Sequence, residues 1–264
     1  MIIHELRIPY HYGDSFRLKS LFDIHWGNTY CDTRALKDYL ADSDDKTYFI
    51  GGGDWIDAVV TKDIKRYMKH SDATETDAIL DEQEDGLGEV LAPYKDKIIG
   101  GGDGNHEHSI IKYHGHNPMR RMSEKLGFKY LGYSWFVRLV FSEDNSRTRT
   151  VVVYGHHGWG GGSRTAGGEL TKYDKVRKNY EADIYMFGHG HRLQSSRSVQ
   201  IGMRGKGLYS KPKYTVLCGS FLKTLSETTD ATYSEVAGYP PVEVGNATIT
   251  IKPDRKWMAI ETDV

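Results

Sequence analysis

The sequence predicts an α/β fold, and two features of its patterning point there. Short runs rich in apolar, β-branched or aromatic residues, each bounded by glycine or polar residues, recur along the chain with helical stretches between several of them. Directly behind many of those runs sit histidines, aspartates and an asparagine, the place where an open α/β sheet carries its ligand crevice. In order, the candidate strands are 18–22 (LKSLF), 48–50 (YFI), 98–99 (II), 135–141 (WFVRLVF), 151–154 (VVVY), 184–187 (IYMF), 215–218 (TVLC), 247–251 (ATITI) and 257–260 (WMAI). Candidate helices fill 33–40, 57–70, 76–91, 109–126 and 170–179. No internal repeat or low-complexity linker divides the chain, and its glycine-containing polar stretches are short enough to be loops. A single domain over residues 1–264 is therefore expected, long enough to bury a large core.

Composition narrows the partners. The formal net charge is −1, so the overall balance advertises neither a nucleic-acid nor a membrane partner. No run approaches the ~20 apolar residues of a membrane span, and His4, Glu5 and Arg7 interrupt the first ten residues where a signal peptide would be apolar. Cys31 and Cys218 lack the paired spacing of a zinc ribbon or redox motif and read as buried thiols of a reducing compartment. A cytoplasmic protein is expected. The acidic stretch 71–89 reads as a solvated helix face or connector. The stretch 192–213, where Arg197, Arg204, Lys206 and Lys211 stand among Gly and Ser, reads as a hairpin.

The chemistry lies in the strand-end clusters. Asp23 and His25 (DIH) follow 18–22; Asp54 and Asp57 (GGGDWID) follow 48–50; Asn105 and His106 (GGDGNHE) follow 98–99; His156 and His157 (GHHG) follow 151–154; His189 and His191 (GHGH) follow 184–187. A solitary histidine near a strand end is usually structural, but five clusters in this setting predict a catalytic metal centre. Carboxylate, amide and imidazole ligands suit Mn, Fe, Zn, Co or Ni, and the shortage of cysteine disfavours structural zinc.

In this order and spacing the blocks resemble those of the calcineurin-like metallophosphoesterase superfamily: D-x-H, G-D-x-x-D, G-N-H-E/D, a strand-end H, and G-H-x-H. The resemblance covers residues 18–191 as a framework. It implies a four-layer α/β/β/α sandwich of two mixed sheets flanked by helices, and two divalent metal ions, Mn²⁺ foremost, with Fe, Zn, Ni, Co or Mg as alternatives. It further implies that Asp23, His25 and His191 hold one metal, that Asn105, His156 and His189 hold the other, and that Asp54 bridges them. Spacing does not choose between the two histidines of GHHG; His156, first after the strand, is preferred as the ligand, with His157 lining the pocket. Two dications bring +4 against −2 from Asp23 and Asp54, so a positive field remains for a phosphate, and a water shared by the ions is acidified into a nucleophile. By the family pattern His106 is the general acid for the leaving group, with Asp57 accepting its hydrogen bond to fix its orientation. For Asp57 a helix N-cap is the alternative.

Departures from the pattern narrow the family. Ala58 stands where phosphoprotein phosphatases carry arginine, and Asp57 where purple acid phosphatases place a metal-binding tyrosine. What remains is a small prokaryotic or phage-type phosphoesterase, most simply a phosphodiesterase acting on a nucleotide or nucleic-acid end. A phosphomonoesterase for a small metabolite and a non-catalytic scaffold of the same fold are the alternatives. The glycine-rich segment after GHHG is expected to be a loop over the site, in which Arg164 would grip a phosphate and Trp159 would stack on a base; a plain loop is the competing reading. His108, His114 and His116 are expected at the surface or behind the ligands.

Overall fold

The computed structural model describes residues 1–59, 78–143, 147–161, 165, 167–226, 231–254 and 259–264. Most of the helix expected over 57–70 and the start of that over 76–91 lie outside these residues, as do Arg164, His70 and part of the strand expected over 257–260; Asp57, Ala58 and Val59 themselves are not helical.

In chain order the elements are β1 (Ile2–Pro9), β2 (Phe16–Leu21), α1 (Thr33–Ala41), β3 (Thr47–Gly52), α2 (Ile79–Leu91), β4 (Ile98–Gly102), α3 (Asn105–His114), α4 (Pro118–Leu126), β5 (Lys129–Gly132), β6 (Ser134–Glu143) and β7 (Arg147–His156). There follow α5 (Gly168–Asn179), β8 (Ile184–Phe187), β9 (Leu193–Arg204), β10 (Gly207–Ser220), α6 (Tyr233–Val236), β11 (Gly245–Asn246), β12 (Thr248–Lys252) and β13 (Ala259–Asp263). One sheet runs β1-β6-β7-β8-β10-β11, with β9 paired to β10; the other runs β13-β12-β2-β3-β4-β5. Both are mixed: β2 to β5 are mutually parallel with β12 antiparallel to β2, and β7 is parallel to β8 but antiparallel to β6.

The continuous apolar runs are explained by burial on both faces, since successive strand residues point to opposite sides. In β3 and β4, Ile50 and Ile99 face the other sheet while Phe49 and Ile98 face helices. In β8, Ile184 and Met186 join the core between the sheets while Tyr185 and Phe187 pack under α5. The inter-sheet core is closed by Trp135, Val137, Leu139 and Phe141 of β6 against Phe16, Leu18 and Leu131. Leu36 and Leu40 of α1, Leu87 and Leu91 of α2, Ile110 of α3 and Met119 and Met122 of α4 cover the outer face of the β2–β5 sheet, and Tyr173 and Val176 of α5 cover the other. The architecture is the expected four-layer sandwich.

Two of these elements differ from expectation, and a third is as expected. The helix expected over 109–126 is two, because Gly115 adopts φ 68° and ends α3, and Pro118 opens α4 behind the Asn117 cap. Within the first ten residues Ile2–Pro9 form β1, whose alternating exposure marks a strand at the sheet's edge. The basic stretch 192–213 is the β9–β10 hairpin, but part of its charge is used internally: Lys211 pairs with Asp183, Lys213 is buried against Asp183 and the Ala182 carbonyl, and Arg197 lies over the Tyr214 ring.

Candidate metal centre

Parallel β2, β3 and β4 end side by side, and so do β7 and β8 in the facing sheet, which delivers all five blocks to one crevice. The turns that carry them are tight. Among the described residues six non-glycine residues have positive φ, and five of these are expected ligands: Asp23 (49°), His25 (53°), Asp54 (52°), His189 (68°) and His191 (56°). Backbone in this region costs on the order of 1–3 kcal/mol for each such residue, so surrounding contacts must hold it. Close approach also requires glycine: a Cβ on Gly104 would stand 2.1 Å from Asp54 Oδ1, and one on Gly188 2.4 Å from Asp23 Oδ2.

Two groups of potential ligands result. Asp23, His25 and His191 form one, with His25 Nε2 3.2 Å from His191 Nε2 and Asp23 Oδ1 3.5 Å from His191 Nε2. Asp54, His157 and His189 form the second, and Asn105 joins them, its amide oxygen 2.8 Å from His157 Nε2 and 2.7 Å from His189 Nδ1. Asp54 Oδ2 lies 3.2 Å from His157 Nε2 and 3.9 Å from His25 Nε2, between the groups, while Oδ1 accepts the His106 backbone N–H.

The residues fit divalent cations. Asp23 is fully buried and its Oδ1, 3.9 Å from His25 Nε2 and 3.5 Å from His191 Nε2, makes no well-formed hydrogen bond among the described residues. His157 Nδ1 donates to the Gly52 carbonyl and His189 Nε2 donates to the Gly160 carbonyl, so in the neutral rings the nitrogens facing Asn105 Oδ1 are lone pairs. Converging lone pairs need a positive charge among them, and imidazoles anchored through their far nitrogen are the usual partners of a metal. Without a metal the charge must come from protons: burial alone would lower the His157 pKa, but Asp54, with Asp23 and Glu107, raises it to about 9. Burial opposes ionisation of Asp54, yet His157 and His106 hold its pKa well below the usual carboxylate range. His25 and His189 are lowered, mainly by burial, which favours the neutral form a ligand needs.

His157 therefore stands where His156 was expected. Strand parity explains the exchange: Val151 and Val153 face the other sheet and Tyr154 faces α5, so residue 157 continues the inward face and residue 156 the outward one. His156 Nδ1 accepts the Gly158 N–H, and burial lowers its pKa to about 4.

His106 and Asp57 meet, but differently from expectation. His106 Nδ1 donates to the Asp57 backbone carbonyl, leaving Nε2 toward the crevice 3.9 Å from Asp54 Oδ2. The Asp57 carboxylate is 3.9 Å from His106 Nδ1 and closer to His25 Nδ1, at 3.4 Å; it also accepts from Asn28 Nδ2. His25, Asp57 and His106 are near enough to form a third potential ligand group. His108 and His114 are exposed, and His116 pairs with Glu84.

Glu107 was not singled out by the sequence beyond its place in GNHE. Fully buried, it accepts backbone N–H groups from Asp54, Trp55, Ile56 and Gly104 at 2.7–3.3 Å, tying the second block to the third. Burial, then the charge of Asp54, raises its pKa to about 7. Glu107→Ala should strip these buried donors of their partner and cost roughly 3 kcal/mol or more, read as a lower denaturant midpoint with an unchanged m-value.

No protein-family model and no curated protein matches the chain. Among solved structures it is similar to the Haemophilus influenzae NAD nucleotidase NadN, at 10% identity and a TM-score of 0.44, covering 95% of this chain and 50% of that one. The chain thus spans half the length of that relative. It is also similar to a metallophosphoesterase from Sphaerobacter thermophilus, at 11% identity and a TM-score of 0.40, covering 95% of this chain and 89% of that one. A conserved Streptococcus pneumoniae protein, described as a predicted phosphoesterase, matches at 13% identity and a TM-score of 0.33, covering 94% and 89%. Two mixed sheets packed face to face, with helices on both outer faces and five strand ends carrying Asp, Asn or His at one edge, give the four-layer α/β/β/α sandwich that the resemblance of the motifs implied.

Proposed function

We propose that the protein is a two-metal phosphoesterase, and that its substrate is a phosphodiester at a nucleotide or nucleic-acid end. The observation that carries this reading is the convergence of Asp23, His25 and His191 beside Asp54, Asn105, His157 and His189, with Asp54 Oδ2 between the two groups. Asp23, His25 and His191 would hold one ion, Asn105, His157 and His189 the other, and Asp54 both. When bound, two such ions supply a nucleophile from water near neutral pH and charge stabilisation on the phosphoryl oxygens. The chain's own part is positioning and proton transfer. His106, with Nδ1–H held by the Asp57 carbonyl, presents Nε2 to the crevice, where in its protonated form it donates to the departing oxygen. Asp57 steadies His25 with its carboxylate and His106 with its carbonyl, so it is a positioning residue for both. The diester preference draws on the aromatic side chains beside the centre rather than on the hairpin, whose Lys211 and Lys213 are tied to Asp183.

Turnover of bis-p-nitrophenyl phosphate and of p-nitrophenyl phosphate, compared in Mn²⁺ after metal stripping, tests the reading. Faster diester cleavage is expected. Faster monoester cleavage replaces the diesterase with a monoesterase, and no cleavage of either with Mn²⁺, Fe²⁺, Ni²⁺, Co²⁺ or Zn²⁺ leaves the scaffold alternative.

A further inference from the structure

Along one side of the centre runs a line of rings that holding metals does not require. Tyr133, in the loop between β5 and β6, has its ring centroid 6.2 Å from that of His157 and 5.2 Å from that of His156. His156 in turn lies 5.2 Å from Trp159, which is 39% exposed. Trp159 is held in place. Its ring packs edge-on against the buried Tyr173 at 5.1 Å, and its carbonyl accepts from Lys172 Nζ at 2.8 Å. The next residue, Gly160, supplies the carbonyl that orients His189. Tyr133 thus packs against His157 and Trp159 leads through Gly160 to His189, two histidines of one ligand group, with His156 between them.

The Tyr133 hydroxyl makes no hydrogen bond among the described residues, and the ring is half-buried. A wall of this kind offers ring edges, a partly exposed indole and an uncommitted hydroxyl beside His157 of the second ligand group. An aliphatic group would leave those features unused, whereas a planar heterocycle uses all three, and stacking tolerates any base because every base has a π-face.

We propose that the Tyr133–His156–Trp159 wall is a nucleobase subsite, with Trp159 as the stacking platform, so that the substrate class is a nucleotide ester bound by its base as well as its phosphate. The inference rests on the phosphoesterase reading. Rigid placement of Trp159 before binding lowers the ordering cost of the stack.

Binding of adenosine 5′-monophosphate and of ribose 5-phosphate to the Mn²⁺-loaded protein, measured by calorimetry, tests the subsite. The two share a phosphate and differ by the base. The unaltered protein should bind the nucleotide about tenfold more tightly, the usual scale of one base stack. Trp159→Leu, which keeps bulk but loses the π-face, should bring the ratio close to one, and Trp159→Phe should keep most of it. Taking the ratio within each variant cancels any change in the metal centre. Equal binding of the two ligands by the unaltered protein, or a ratio that survives Trp159→Leu, overturns the subsite while leaving the phosphoesterase reading in place. Failure of both ligands to bind, with no ester hydrolysed, overturns the two together.

Discussion

Asp54→Asn should reduce bound metal from two ions per chain to one or fewer, and turnover by on the order of 10³-fold or more, since a paired-ion site stabilises several kcal/mol of transition-state charge. The substitution is nearly isosteric, so folding should survive. The amide oxygen can still accept the His106 N–H that Asp54 Oδ1 now takes, and the backbone N–H of residue 54 still reaches Glu107. What is lost is the negative charge at Oδ2, the atom within 3.9 Å of His25 Nε2 and 3.2 Å of His157 Nε2. Without it two neighbouring dications would repel with no anion between them. Elemental analysis after dialysis against trace metal is the measurement, and two ions retained would remove Asp54 from the bridge.

His106→Ala should behave in the opposite way, leaving metal content at the wild-type level while turnover falls by about 10²–10⁴, the usual range for loss of a general acid. The separation follows from geometry. His106 Nδ1 is committed to the Asp57 carbonyl, and Nε2 faces the crevice beyond the ligands that converge on Asn105. The loss should depend on the leaving group. An alkyl phosphodiester, whose alkoxide needs a proton to depart, should suffer more than a p-nitrophenyl ester, whose phenolate leaves unaided. Equal losses on the two substrates would mean that His106 acts on binding rather than on proton transfer, and unchanged turnover would remove it from the mechanism.

These two outcomes separate holding from catalysis, and the strained turns connect them. Five of the expected ligands sit at positive φ, so the crevice stores backbone strain where its charges converge. Glu107 is the main visible restraint, since four backbone N–H groups from the turns of blocks two and three end on its carboxylate. Its replacement should therefore loosen the site as well as the fold.

Much of this was legible in the linear chain. Ligand-type residues followed apolar runs five times, and because parallel strands end side by side, their spacing alone brought Asp23, His25, Asp54, Asn105, His189 and His191 to one edge. The runs 48–50, 98–99 and 184–187 were identifiable because a strand buried on both faces is apolar throughout. Edge strand β1 was missed because Glu5 and Arg7 interrupt its apolar run, and the break between α3 and α4 because Gly115 and Pro118 were read through.

By itself, then, the sequence determined which chemical groups reach the crevice, since residue type and strand-end position are local properties. Only the tertiary structure decided which atom of each group faces which neighbour. His157 rather than His156 enters because β7 turns its odd-numbered residues toward the facing sheet, a choice made by the packing of Val151 and Val153. Asp57 steadies His25 with its side chain and His106 with its backbone because of how the turn after β3 folds. Side-chain direction depends on long-range packing, and spacing along the chain carries no record of it.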